Sequence, residues 1–264
     1  MPLGAVKVAA RVNLTRNPPS VPCQTARGVL IPIRDHNPRS RFPAVTLLII
    51  AANVVAHIFQ RMADPEAQRL LVLRAGAIPY EIINHIDILP PDLLPVPGSI
   101  FTSMFLHGGW LHLIGNMWFL WVFGDNIEEA LGSVRYLVFY LLVGTVGALA
   151  QCFSMPSSTL PMIGASGAVA GVLGGYLMLY PRALIDTFVP IPLFWPRFDV
   201  PAWIFLGLWF VGQFLLPTGS GVAWMAHVGG FLAGLGAVRL LARTRPRPPS
   251  GRVDVQYIPP RRGY

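Results

Sequence analysis

Four residues of this chain have the types and spacing for nucleophilic chemistry: Ser166, His227, His112 and Asn116. Ser166 stands in GASGAVAGVLGGY (164–176), a stretch otherwise built of glycine and apolar residues. A serine in that setting is either a small residue that lets two helices approach or a nucleophile served by a base. His227, in AHVGGFLAG (226–234), is the candidate base, because a neutral imidazole can take a hydroxyl proton. His112 and Asn116, in HGGWLHLIGNM (107–117), are four residues apart, which puts two hydrogen-bond donors on one helix face.

The elements that carry these residues follow from composition. Of 264 residues only 12% are charged and 53% are hydrophobic, and the mean hydropathy is +0.54. An ordinary soluble domain has about 25% charged residues. This pattern predicts an all-α membrane protein. Apolar runs long enough to cross a bilayer lie at 42–60, 104–123, 134–153, 162–180, 200–216 and 222–241, which predicts a six-transmembrane-helix bundle over residues 41–243.

The net charge of +8 follows the membrane rather than a nucleic acid. With an N-in, C-in orientation, seventeen of the twenty basic residues fall inside and only Arg61, Arg69 and Arg74 outside. Residues 1–40 are expected to be a disordered cytoplasmic tail, and residues 244–264 a basic cytoplasmic tail. Residues 1–34 hold five basic residues and no acidic one, a bias that transit peptides share, but Pro18, Pro19 and Pro22 interrupt any amphipathic helix there. The proline-rich loop between the first two spans is expected to lie partly in the membrane interface as short amphipathic pieces. Cys23 and Cys152 offer no disulfide framework.

Spans two and four run in the same direction, and His227 opens span six from the same side, so Ser166, His112, Asn116 and His227 share one depth. Gly167, Gly171 and Gly175 repeat at spacing four, as do Gly230 and Gly234. Two such stripes allow close approach of helices, and His227 lies on the face of Gly230 and Gly234. The plainer reading stands beside this one: a packing serine, and histidines such as His57 and His107 serving as structural hydrogen-bonders. Isolated interhelical bonds average only about 0.6 kcal/mol, which is little reason to place four polar groups at one level.

What is missing narrows the chemistry. All twelve acidic residues are expected outside the spans, which excludes an intramembrane aspartyl protease and the carboxylate relays common in proton-coupled transporters. No HExxH occurs, against a zinc protease. No Asp lies at the depth of His227, so serine chemistry would run on a dyad.

With these motifs in order on spans two, four and six, the chain resembles the rhomboid intramembrane serine proteases. The resemblance covers about residues 31–241 and rests on His-x-x-x-Asn at 112–116, Gly-x-Ser-Gly at 164–167 and Ala-His-x-x-Gly at 226–230. It implies Ser166 as nucleophile, His227 as general base, and His112 and Asn116 as oxyanion donors beside the Ser166 backbone N–H. It implies Gly164, Gly167, Gly230 and Gly234 as structural residues near the site, and Glu128 as a carboxylate that ties an inner loop. Two departures stand out: a tyrosine often found four residues after the nucleophile is Ala170 here, and the outer loop lacks a Trp-Arg pair seen in one bacterial branch.

The resemblance further implies transmembrane protein substrates cut near the outer membrane edge, contact with membrane lipids, no metal and no cofactor. The competing readings are an inactive relative that binds membrane clients and a small transporter. Six spans without a convincing targeting sequence led to an expectation of a bacterial plasma membrane.

Overall fold

The computed structural model describes residues 30–88, 92–189, 196–215 and 222–242. In chain order these form β1 (Ile31–Asp35), α1 (Ala44–Met62), α2 (Pro65–Ala75), α3 (Pro79–Asn84), α4 (Ser99–Ser103), α5 (Trp110–Leu131), α6 (Ser133–Ser154), α7 (Ser166–Leu179), β2 (Leu184–Phe188), β3 (Arg197–Pro201), α8 (Ala202–Gln213) and α9 (Trp224–Leu241).

Among the described residues, α1, α6 and α9 are long and apolar enough to cross a membrane. The α7 and α8 helices are apolar but shorter. The 14 residues of α7 span only ~21 Å, less than a hydrocarbon layer of about 30 Å. Each expected span therefore overlaps a helix, but in α5 the helix begins six residues later than expected and continues eight residues further. Its last turns hold Asp125, Glu128 and Glu129, so acidic residues expected in a loop sit inside a long helix.

Tertiary partners explain that extension. Glu128, 3% exposed, accepts hydrogen bonds from Val45 N (3.0 Å), Thr46 N (2.8 Å), Thr46 Oγ1 (2.8 Å) and Ser133 Oγ (2.7 Å). It thereby caps the N-terminus of α1, where backbone N–H groups lack helical acceptors and the helix dipole favours negative charge. A single residue, Gly132, turns the chain from α5 into α6 at φ 80°.

The helices α6, α7 and α9 form the tightest-packed part of the core. The glycines of α7 cost helix stability, about 1 kcal/mol each relative to alanine, and are used for backbone contact. A methyl group on Gly174 would overlap the Phe231 carbonyl oxygen, and one on Gly234 would overlap that of Gly171.

The fold is mainly helical but not all-α. Strands β1, β2 and β3 make a three-stranded antiparallel sheet in that order, with Asp35 opposite Ile185 and Ile185 opposite Val200. The expected tail over 1–40 is thus ordered at its end: β1 is held by the sheet and by Trp118 Nε1, which donates to Pro32 O at 2.6 Å. Residues 1–29, and those expected to form the 244–264 tail, lie outside the described residues.

The segment between α1 and α5 folds into short helices, α2, α3 and α4. Asp64 caps α2 by accepting from Glu66 N and Ala67 N. Ala77 and Met162 exchange backbone hydrogen bonds at 3.0 and 2.8 Å, and Gly164 N donates to Ser103 O at 2.9 Å. These bonds fasten the segment leading into Ser166 to the α2–α4 region.

Candidate active site

Ser166 is the first residue of α7, and no side chain caps that helix. The earliest α-helical bond near this end is Val169 N to Ala165 O, 2.9 Å. The N–H groups of Ser166, Gly167 and Ala168 precede it, so the start of α7 presents donors and the positive end of the helix dipole around the serine hydroxyl.

Gly164 shapes the approach. Its φ of +130° is a conformation that side-chain-bearing residues rarely adopt, and a Cβ there would lie 2.8 Å from His112 Cε1, 2.9 Å from His112 Nε2 and 3.7 Å from Ser166 Oγ. The His112 imidazole and the Ser166 hydroxyl therefore flank the same α-carbon. Asn116, one turn further along α5, is buried, and its Nδ2 finds no acceptor among the described residues.

His227 enters from α9. Ala226 and Gly167, the neighbours of His227 and Ser166, lie against each other: a Cβ on Gly167 would be 3.4 Å from Ala226 O and 3.7 Å from Ala226 Cβ. One turn on, Gly230 packs directly on the Gly167 carbonyl. Ser166 and His227 are both half-buried. The fold thus brings Ser166, His112 and His227 to one end of the bundle. Asn116 lies on the His112 face, and Gly164, Gly167 and Gly230 lie in the contacts that position them. Gly234 is one turn deeper, against Gly171.

Ala170 is fully buried in the core, and His227 is supported instead from α8. The His227 Nδ1 lies 2.7 Å from Gln213 Oε1, and its ring is tilted 36° to that of Trp209 with centroids 6.2 Å apart. Sequence reasoning passed over Gln213. The signal was present, as a lone amide in the otherwise apolar AWIFLGLWFVGQ.

His107 was expected inside a helix but lies in the turn before α5, where its backbone O accepts from Gln60 Nε2 at 3.0 Å. His57 and His107 are fully buried. Their rings meet edge-on at 6.2 Å, and His107 meets His112 at 5.1 Å. The ring nitrogens of His57 and His107 find no hydrogen-bond partner among the described residues. No group of three or more His, Cys, Asp or Glu among those residues is placed to hold a metal ion. A cavity of about 30 Å³ adjoins Ser166, bounded by Ser103, Met104, Gly144, Met162 and Ala226. That is space for about two water molecules.

Fold and site define a multi-pass helical membrane protein with a serine and a histidine on glycine-packed helices. The Rhomboid domain family model matches residues 98–244, and the chain belongs to the rhomboid family. It is 34% identical over 169 residues to RHOMBOID-like protein 5 of Arabidopsis thaliana, covering 62% of this chain and 49% of that one. It is 34% identical over 165 residues to Rhomboid protein 1, mitochondrial, of Saccharomyces cerevisiae, covering 59% and 45%. It is 41% identical over 78 residues to Rhomboid protease GluP of Bacillus subtilis, covering 30% and 15%. The chain spans about half the length, or less, of these curated relatives.

The expectation of a bacterial plasma membrane is overturned by this comparison. Six relatives that each match more than half of the chain are eukaryotic, and two of them carry a mitochondrial name, which points to a eukaryotic membrane. The multi-pass membrane placement stands.

Proposed function

We propose that this chain is an intramembrane serine endopeptidase that cuts single-span membrane proteins near the membrane edge. Its fold would be a six-span rhomboid bundle with both termini on the side rich in basic residues and the site toward the opposite face. The observation that carries the reading is the contact of Gly167 with Ala226 and Gly230. It joins the residue after a serine at an uncapped helix start to the turn of α9 that bears His227.

Ser166 Oγ attacks the scissile carbonyl carbon as its proton passes to His227 Nε2. The carbonyl oxygen becomes an oxyanion, held by the Ser166 N–H, His112 and the free Nδ2 of Asn116. The C–N bond then breaks, and His227 returns the proton to the leaving amine, which leaves an acyl ester on Ser166. Water attacks that ester, with His227 again taking the proton. Collapse of the second tetrahedral species releases a carboxylic acid and restores Ser166. The apolar outer surface faces lipid, while the polar groups at the helix ends keep the reacting centre wet.

The test is cleavage of a panel of single-span substrates by purified protein in detergent, beside Ser166→Ala and His227→Ala. Cleavage that both substitutions abolish supports the reading. Equal cleavage in wild type and Ser166→Ala overturns Ser166 as the nucleophile, and no cleavage across the panel overturns the reading in favour of a client-binding relative.

A further inference from the structure

We infer that Gln213 is a positioning residue for His227, one that selects the imidazole tautomer able to act as base. The inference rests on the protease reading for its catalytic meaning, but its structural content stands apart from it. Gln213 closes α8 with only 9% of its surface exposed, in a segment without another polar side chain apart from the Trp indoles.

Both ends of its amide are engaged. Nε2 donates to the Trp209 carbonyl oxygen at 3.0 Å, and Oε1 lies 2.7 Å from His227 Nδ1. A backbone carbonyl can only accept, so the amide nitrogen must face Trp209; the flipped amide would set two acceptors against each other. The amide oxygen is then the end that faces His227. An amide oxygen can also only accept, so the proton of the neutral imidazole resides on Nδ1. Nε2 is left with a free lone pair, the form required to receive the Ser166 proton.

The ring is fixed in a second direction as well. Trp209, one turn before Gln213, lies tilted beside the His227 ring and is itself stacked on Phe231 with centroids 6.0 Å apart. Gln213 sets the edge of the imidazole, and Trp209 limits its swing on one side. This supplies the brace that Ala170 does not. A neutral amide does the orienting work of a carboxylate without placing an ionised group in a low-dielectric setting.

The experiment uses full-length protein in detergent as wild type, Gln213→Leu, Gln213→Glu and Ser166→Ala. Two readouts are taken: the imidazole ¹⁵N shifts of His227, assigned by their loss in His227→Ala, and the rate at which a fluorophosphonate labels Ser166 against pH. The expected wild-type spectrum is Nδ1–H, moving toward mixed tautomers in Gln213→Leu. The labelling rate of Gln213→Leu is expected to fall on the order of 10²-fold, as for a misplaced catalytic group. Gln213→Glu keeps the acceptor and is expected to recover most of the rate at neutral pH. Its carboxylate favours the imidazolium, so the acid limb moves up by about one pH unit or more.

An Nε2–H tautomer in wild type, or spectra unchanged by Gln213→Leu, overturns the inference whatever the activity. Labelling of Gln213→Leu at the wild-type rate and pH profile overturns the positioning role while leaving the protease reading intact. Wild-type labelling no faster than Ser166→Ala counts against the protease reading, and the tautomer then decides the inference alone. Should Gln213→Leu fail to fold, the pH profile of Gln213→Glu decides: an unshifted acid limb is the overturning result.

Discussion

Gly230 lies against Gly167 so closely that a methyl group on Gly230 would overlap the Gly167 carbonyl oxygen. The contact joins α7 to α9 immediately beside Ser166 and one turn from His227, so packing and site geometry depend on the same missing side chain. Gly230→Ala must push the helices apart. The expected cost is about 1–3 kcal/mol of stability, as for overpacked cores, and labelling of Ser166 is expected to fall on the order of 10²-fold. Gly207→Ala is the control, because nothing lies within 4 Å of its Cβ position. That variant should unfold at or slightly above the wild-type temperature, and similar losses in both variants would refute the packing argument.

Gly164 makes a different prediction. Alanine there suffers a φ of +130° and a clash with the His112 ring, a backbone cost of about 1–3 kcal/mol. Because strain and clash fall on the segment between His112 and Ser166, the proposed oxyanion geometry suffers more than the fold. Gly164→Ala is expected to lower kcat at least tenfold with a modest drop in thermal stability. An unfolding temperature that falls as far as in Gly230→Ala, with kcat retained, would contradict it.

Asn116 tests the oxyanion assignment. Its Nδ2 is a buried donor with no acceptor among the described residues, so it is free to bind a charge that forms only during reaction. Asn116→Ala is expected to lower kcat by about 10²–10³-fold with KM little changed, as when one oxyanion donor is removed. A change confined to KM would assign Asn116 to ground-state binding instead.

Most of the helical layout could be read from hydropathy because apolar runs and glycine stripes are local signals. The three motif segments were legible for the same reason. The end of α5 was not, since a hydropathy window stops where acidic residues begin, whereas this helix continues because distant groups satisfy them. Glu128 caps α1, Arg39 pairs with Asp125 at 3.1 Å, and Ser40 donates to Glu129 at 2.6 Å. The sheet escaped notice because β1 meets β2 across about 150 residues of chain, and Pro32 and Pro201 both argue against strands. Gln213 escaped because its meaning lies in a partner on another helix, His227.

Glu128 yields a stability prediction. Four donors converge on its carboxylate from the starts of α1 and α6. Glu128→Ala strands buried donors, each worth about 1–3 kcal/mol when left unpaired, and removes a charge that complements the α1 dipole. The expected net loss is about 2–4 kcal/mol, read as a lower midpoint of unfolding in detergent. Glu128→Gln retains one acceptor and should fall between. A Glu128→Ala midpoint equal to wild type would mean that α1 does not need this cap.

Asp35 predicts how stability depends on pH. It accepts from Tyr176 OH at 2.5 Å and Asn126 Nδ2 at 2.8 Å, and Asn37 Nδ2 donates to the same tyrosine oxygen at 2.8 Å. The cluster pins β1 to α5 and α7. Burial pushes the Asp35 carboxyl up from 3.8 to about 6 against the Tyr176 hydrogen bond, and the nearby Asp125 adds to the rise. Asp125 itself is bonded to Arg39. The folded state thus holds the Asp35 proton more tightly than the unfolded chain. That stabilisation is complete below about pH 3.8 and is lost as pH rises to about 6. Asparagine at this position keeps an acceptor for Tyr176 and Asn126 and cannot ionise. Relative to wild type, Asp35→Asn should therefore gain thermal stability steadily between about pH 4 and pH 6.5 and level off above. A difference that stays flat across that range would show that ionisation of Asp35 does not oppose the docking of β1.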